Sequence, residues 1–373
     1  MSLSLVFKMM YWSVRKDWRV LPHLMSVLAG WLTNLMWLRL HGLSGRETVA
    51  IGLVEHLGDI VAAEPVSRLA RRLYPAAKVI WIARKAYASV PAGFAAIDAV
   101  VKVNCLTEWL LLRATGTGHP AWDLHINQRY CPRCQIPVHK TGPAGTLDSA
   151  SYYGHGNLLA VECLSAGIPI LTDGPELPFD ASASAAIDRL GLPERFIAVH
   201  CASNEASRDW PKKNWRALVS QLLQEPGIAV VEVGIRPVAI EHNDATQRNL
   251  CGQLSIQQTA EVLRRAALFI GIDSGPAHLA NAVGVPGVIL LGLYKGFTDY
   301  MPYSGGYENG ENATIVRTNG PMDTLPVAEV LAAVHQRLDR VHNHLSSAAY
   351  PHAERPGPLR PSNSPIVGKK SGA

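Results

Sequence analysis

Short, uninterrupted apolar runs alternate with stretches of helical period along most of the chain. "TVAIGLV" (48–54) and "KVIWIA" (78–83) show no polar alternation, which predicts strands buried on both faces. Between them, "DIVAAEPVSRLARRLYP" (59–75) spaces its apolar positions three and four apart and closes on a proline, the pattern of an amphipathic helix. "AIDAVVKVN" (96–104) and "AWDLHIN" (121–127) read as further strands, and "LLAVECLSAG" (158–167) as a helix. A second series begins near residue 195. Strands are predicted over 195–203, 228–234, 267–273 and 287–292. Helices are predicted over 210–224 and 255–266, after 273, and from Pro326 onward. Ser255 and Gln258 have the spacing of a capping box, in which each side chain satisfies a free amide at the helix start. Strand–helix alternation of this kind predicts parallel sheets covered by helices, an α/β fold. Its duplication, across a connection at 175–194, predicts two Rossmann-like domains facing each other across a cleft.

The two ends differ from this body. Residues 1–46 hold Trp12, Trp18, Trp31 and Trp37, with Lys8, Arg15, Lys16 and Arg19 ahead of the apolar stretch "LMSVLAGWLTNLMWL" (24–38). That stretch falls short of the roughly 20 residues a bilayer requires, and Thr33 and Asn34 interrupt it. Tryptophans with flanking cations suit a helix lying among lipid headgroups; an arm packed on the protein's own surface and a true span are the alternatives. No A-x-A-like cleavage site follows, so a removable signal peptide is not expected. The proline-rich residues 344–373 are expected to form a disordered tail. The body then divides into domains at 47–180 and 181–343.

Composition narrows the picture little. A net charge of +5, with basic residues along most of the chain, does not argue for nucleic acid but fits a protein that handles phosphates or lies near anionic lipid. Six scattered cysteines suit reduced thiols rather than a disulfide scaffold. Cys131 and Cys134 form a CxxC pair with His125 and His139 nearby. Zinc is one reading, but a structural site ordinarily shows a second well-spaced pair. The default is a reduced, partly buried loop, and no metal site is predicted.

Chemistry concentrates where strands end. In "IDSGPAHLA" (272–280) an apolar run stops at Asp273, Ser274 offers a hydroxyl, and Gly275 and Pro276 open a helix. Free amides and the helix dipole favour an anion there, such as a phosphate. A plain aspartate or serine N-cap is the alternative reading, and Asp273 is expected to orient amides or to bind a sugar hydroxyl. "VEHLGDIV" (54–61) occupies the matching place in the first half, where Asp59 is either an N-cap or a general base acting on a hydroxyl. "HCASNEASRDWPKKNW" (200–215) brings Ser203, Ser207, Arg208, Lys212 and Lys213 between a strand and its helix, either as a phosphate-binding loop or as a solvated basic turn.

Together these motifs resemble the ADP-heptose:lipopolysaccharide heptosyltransferases, glycosyltransferase family nine. The specific part is "LCGQLSIQQTAEVLRRAALFIGIDSGPAHLANAVGVPGVILLG" (250–292), supported by the Gly-Asp turn at 58–59 and by "SRDWPKKNW" (207–215). The resemblance implies a GT-B fold, with the first domain taking the acceptor and the second the nucleotide sugar. It implies Asp59 as general base, and Asp273, Ser274, Gly275 and His278 at the nucleotide diphosphate with Arg208 beside it. Glu241 is the candidate for the ribose contact, although "IRPVAIEH" (235–242) matches the family poorly. The implied reaction is inverting transfer of a sugar, heptose favoured, from a nucleotide-diphosphate donor to a lipopolysaccharide or other glycan acceptor, with no cofactor. Partners would be the nucleotide sugar and a glycan or lipid-linked acceptor, in the cytoplasm, with peripheral contact at the inner membrane. Glu55 and His56 depart from the usual turn, and the tryptophan-rich arm and the CxxC loop are not features of the core family. A non-heptose donor, a sugar-nucleotide epimerase and a non-catalytic sugar-nucleotide-binding protein stay open.

Overall fold

The computed structural model describes residues 1–42, 47–116 and 121–348. Among the described residues ten strands form two sheets in which every strand pairing is parallel. The first contains β1 (Thr48–Gly52), β2 (Lys78–Arg84), β3 (Ala99–Val103) and β4 (Ala121–Asp123) in the order β3-β2-β1-β4. The second contains β5 (Phe196–His200), β6 (Ala229–Glu232), β7 (Gln247–Asn249), β8 (Leu268–Ile272), β9 (Gly287–Leu291) and β10 (Ala313–Arg317) in the order β10-β9-β8-β5-β6-β7. Nearly every residue of β1, β2, β5, β8 and β9 is buried, as expected of parallel strands covered on both faces. The α/β class and the two-sheet organisation therefore stand, with most predicted strands trimmed by one to four residues at an end and β2 longer than expected by Arg84. β7 and β10 were not expected.

The segment predicted as one helix over 59–75 is two, Leu57–Ala62 and Glu64–Leu73, meeting at Ala63 with Pro65 in the first turn of the second. The capping box forms as predicted: Ser255 Oγ accepts from the Gln258 amide at 3.2 Å, and Gln258 Oε1 accepts from the Ser255 amide at 2.8 Å. The last helix runs Val327–Ala348, so residues 344–348, expected in the tail, are helical. Residues 349–373 lie outside the described residues.

The first 42 residues form two helices, Leu3–Lys16 and Leu21–Gly42, joined by a short 3₁₀ turn. One face packs into the first domain through Val6, Met10, Leu24, Val27, Leu35 and Leu38, all buried against the helix Leu106–Thr115 and the sheet. Polar contacts fix this seat: Asn34 Nδ2 donates to Glu108 Oε1 at 2.7 Å and to the Lys102 carbonyl at 3.1 Å, and Trp31 Nε1 donates to Thr115 Oγ1 at 3.3 Å. The arm is thus packed on its own domain, the alternative reading. Its other face still exposes Trp12, Trp18, Met25, Leu32, Met36 and Leu40. Among the described residues no helix is long and apolar enough to cross a membrane.

Candidate active site

In each sheet the strand order reverses next to the first strand of its series, and parallel α/β sheets bind ligands at the carboxyl ends beside such a reversal. In the first sheet β1 lies between β2 and β4; in the second β5 lies between β8 and β6. Asp59 lies in the first turn of the helix that follows β1, while the segments leaving β5 and β8 carry Arg208 and Asp273. A cavity of about 860 Å³ opens at these turns and is lined by Asp59, Arg208, Asp273, Ser274, Gly275 and His278. That volume is ample for a nucleotide sugar.

The two domains meet through the starts of helices Leu57–Ala62 and Gly275–Val283. Two glycines permit the approach. A Cβ on Gly58 would come within 2.8 Å of the His278 ring, and one on Gly275 within 2.8 Å of Leu57. The contact sets the mouth of one helix against the mouth of the other, with Asp59 on one side and the Asp273–Ser274–Gly275 turn on the other.

On the second-domain side, Asp273 is buried and accepts from Arg208 Nη1 at 3.0 Å and from the Tyr300 hydroxyl at 3.2 Å. It does not orient the helix amides. Arg208 also lies over the Tyr294 ring, 4.1 Å from its centre, so its guanidinium is held from two directions. Burial disfavours the Arg208 cation, but the Asp273 charge outweighs it and keeps the group protonated. Its Nε is buried without a hydrogen-bond partner. Ser274 stands at the N-cap position, yet its hydroxyl turns back to the Ile272 carbonyl at 3.0 Å instead of capping the helix. The Gly275 amide is left without a side-chain cap, the arrangement an anion exploits. His278 is buried against Tyr303, and burial depresses its pKa, so it is neutral at pH 7 with Nδ1 unpartnered.

On the first-domain side, Asp59 is the third residue of its helix and His56 is the N-cap. Its carboxylate accepts from the His56 amide at 3.2 Å, with the His56 ring and the Arg129 guanidinium both 3.7 Å away. Burial pushes its pKa up, but His56 and Arg129 outweigh that and hold it well below the usual carboxylate range. It is therefore ionised and only partly exposed. Glu162 lines the same cavity, and burial together with the Asp59 charge raises its pKa well above normal. Its Oε2 is buried with no partner. A carboxyl that keeps its proton can donate a hydrogen bond into the cleft, which Asp59 cannot.

The turn after β1 is anchored from beneath. His125 Nε2 accepts from the Val54 amide at 2.9 Å, which places the ring proton on Nδ1, 2.7 Å from Asp123 Oδ1. Lys140 Nζ closes the group through the Asp123 and Ser165 carbonyls at 2.6 and 2.8 Å, and burial pulls its pKa down to about 8.

Glu241 lies outside the cavity. It is exposed and paired with Arg216 and with Lys212, the latter at 3.9 Å. Arg129, Glu162, Tyr153 and Ile235 line the cavity but were not singled out in the sequence. Arg129 and Glu162 stand 70 and 103 positions from Asp59, and no local motif marks them. Ile235, three residues past the end of the buried strand β6, is 83% exposed at the cavity.

Residues 167–319, fewer than half of the chain, match the model for glycosyltransferase family 9 (heptosyltransferase). Lipopolysaccharide heptosyltransferase 3 of Escherichia coli is 23% identical over 168 residues, 41% of this chain and 49% of that protein. The chain thus aligns with about half the length of the curated relatives it matches. The crystal structure of a family 9 glycosyl transferase from Veillonella parvula superposes with a TM-score of 0.59 at 16% identity, covering 79% of this chain and 97% of that one. The E. coli ADP-heptose lps heptosyltransferase II gives the same TM-score and identity, with 79% and 99% covered. At such identities the structures speak for the fold alone, which is GT-B. The two-sheet fold is thus that of GT-B glycosyltransferases, and residues 167–319 of the second half are similar to glycosyltransferase family 9.

Proposed function

We propose that the chain transfers a sugar, heptose favoured, from a nucleoside diphosphate to a lipopolysaccharide-type or other glycan acceptor, with inversion. One observation supports this reading: Asp59 lines one cavity together with Arg208 and the Ser274–Gly275 helix start, which has no side-chain cap. The nucleotide-sugar side is read from the second domain, where the family match falls. ADP-heptose is the favoured donor because it is the one named for the E. coli neighbour.

In this reading the acceptor hydroxyl approaches the anomeric carbon from the Asp59 side. The oxygen–carbon bond forms as the bond from that carbon to the diphosphate oxygen breaks. The hydroxyl proton passes to Asp59, and the bonding electrons leave on the diphosphate. Arg208 and the Gly275 amide stabilise the charge that accumulates there, being held in place before it develops. Asp273 positions Arg208, while Glu162 donates its proton as a hydrogen bond. Closure of the domains over the cavity keeps water from competing with the acceptor.

The exposed apolar face of the N-terminal helices, with Arg15 stacked at 5.5 Å on Trp12, fits peripheral contact with a membrane carrying a lipid-linked acceptor, at the cytoplasmic side. The deciding experiment is equilibrium binding of ADP, UDP, GDP, dTDP and CMP, followed by transfer assays with the sugar conjugate of whichever binds. Preference for ADP and transfer from ADP-heptose supports the full reading. Preference for another diphosphate keeps the transferase and discards heptose. Tight nucleotide binding that survives Asp59→Ala, with no turnover in either form, would instead support a non-catalytic sugar-nucleotide-binding protein.

A further inference from the structure

Outside the cleft, four side chains from three separate parts of the chain converge on one point. His23 comes from the second N-terminal helix, Cys105 precedes the helix Leu106–Thr115, and Cys131 and Cys134 form the CxxC turn. The ligand atoms of all four lie within 4.8 Å of one another. The three cysteines are buried, and the sulfurs of Cys105 and Cys134 are 3.8 Å apart. A disulfide needs sulfurs about 2 Å apart. Two thiolates on a tetrahedral zinc, each at about 2.3 Å, stand about 3.8 Å apart.

We propose that His23, Cys105, Cys131 and Cys134 bind a structural zinc ion that fastens the N-terminal helices to the first domain. The second observation pointing there is His23 Nε2, which is buried and has no hydrogen-bond partner. A ring nitrogen taken out of water without a partner is unfavourable, and a metal at the centre of the cluster supplies one. The turn has the shape such a site needs. The Gln135 amide donates to the Cys131 carbonyl at 2.8 Å, Gln135 has a left-handed φ of 55°, and Tyr130 bridges Pro137 across the turn's base. The backbone amides of Arg133 and Cys134 face the Cys131 sulfur.

The donor set selects the ion. Three thiolates and one imidazole in a closed pocket suit zinc in a structural role, since all four positions come from protein and none is left for a substrate. The histidines beside the CxxC pair in sequence take no part. His125 is engaged with Asp123 and Val54, and His139 is exposed. The missing half of the pattern sits 26 and 108 positions before Cys131, where spacing cannot reveal it. The ion would join three elements that otherwise hold by packing and by contacts such as the hydrogen bond from Ser13 Oγ to the Cys134 carbonyl. It would also brace the loop that carries Arg129, two residues ahead of Cys131, toward Asp59.

The test is the metal content of the full, untagged chain purified without chelator, measured by mass spectrometry of the metal. About one zinc per chain is expected. It should fall at least tenfold in Cys131→Ser with Cys134→Ser, and measurably in His23→Ala. Cobalt exchanged into the wild-type chain should give the intense visible absorption of a tetrahedral thiolate site, weakened in His23→Ala. If the double variant does not fold, the cobalt spectrum and zinc release on thiol blocking of the wild-type chain decide the matter. Substoichiometric zinc that is not restored by added zinc would overturn the proposal. So would zinc retained in full by both variants, or iron found in its place.

Discussion

At the residue scale the central contrast is between Asp59 and Glu162, two carboxyls in one cavity held in opposite protonation states. Asp59 has a cation and a histidine beside it; Glu162 has neither, and feels the Asp59 charge. If Asp59 is the base, Asp59→Asn should lower kcat by about 10²- to 10⁴-fold while leaving the Kd for the nucleotide diphosphate within about twofold. A loss of binding equal to the loss of rate would point to a structural role instead. The pH profile follows from the same neighbours. An ionised base is required, so activity should fall only as the pH drops through the depressed Asp59 value, below the ordinary carboxylate range near 3.9. Arg129→Ala removes one of the charges that depress it. The acid limb of kcat/KM should then move upward by about one pH unit. An unmoved limb would mean that another group sets it.

Glu162 is a question for the element that carries it, the helix Leu158–Ala166, in which all but two residues are buried. A buried carboxyl that keeps its proton has a folded-state pKa above its unfolded value of about 4.3. Its contribution to stability is therefore complete below that pH and is lost as the pH rises toward the folded value, because the unfolded chain releases a proton that the folded chain retains. Glu162→Gln has no proton to release. Its Tm should gain on the wild type's as the pH rises above the unfolded value of about 4.3; a difference that does not change with pH would show that folding leaves the Glu162 pKa unshifted. Elements also explain what was legible in the sequence. β1, β2, β5, β8 and β9 are pure apolar runs because both faces are covered, and the Asp273–Ser274–Gly275 turn announces itself because strand end, small residues and helix start are adjacent in sequence. β7 is Gln-Arg-Asn at a sheet edge and carries no apolar signal. The helix Leu106–Thr115 buries residues around most of its circumference, so its sequence has little amphipathic period to find. Arg129 and Glu162 reach the cleft only through the tertiary fold. Glu241 was drawn from a loop with weak resemblance, and its carboxylate is taken by surface cations.

The whole molecule adds an orientation that no single element has. The N-terminal helices are seated on the first domain by one face, while Trp12, Trp18, Met25, Leu32, Met36 and Leu40 of the same segment stay exposed, as do the cations Lys8, Arg15, Lys16 and Arg19. The proposed membrane contact would combine apolar insertion of such a surface with attraction of its cations to anionic lipid. Wild-type protein should float with vesicles containing anionic phosphatidylglycerol and should float less well with neutral phosphatidylcholine vesicles. Raised salt should weaken binding without abolishing it, because salt screens the cations but not the inserted tryptophans. Trp12→Ser, Trp18→Ser and Leu32→Ser together should reduce binding by about tenfold or more, with Tm little changed, since all three side chains are more than half exposed. Transfer to a soluble acceptor fragment should survive in the triple variant while transfer to a vesicle-embedded acceptor falls. If both acceptors are used equally by wild type and variant, the exposed face does not serve to bring the cleft to a membrane.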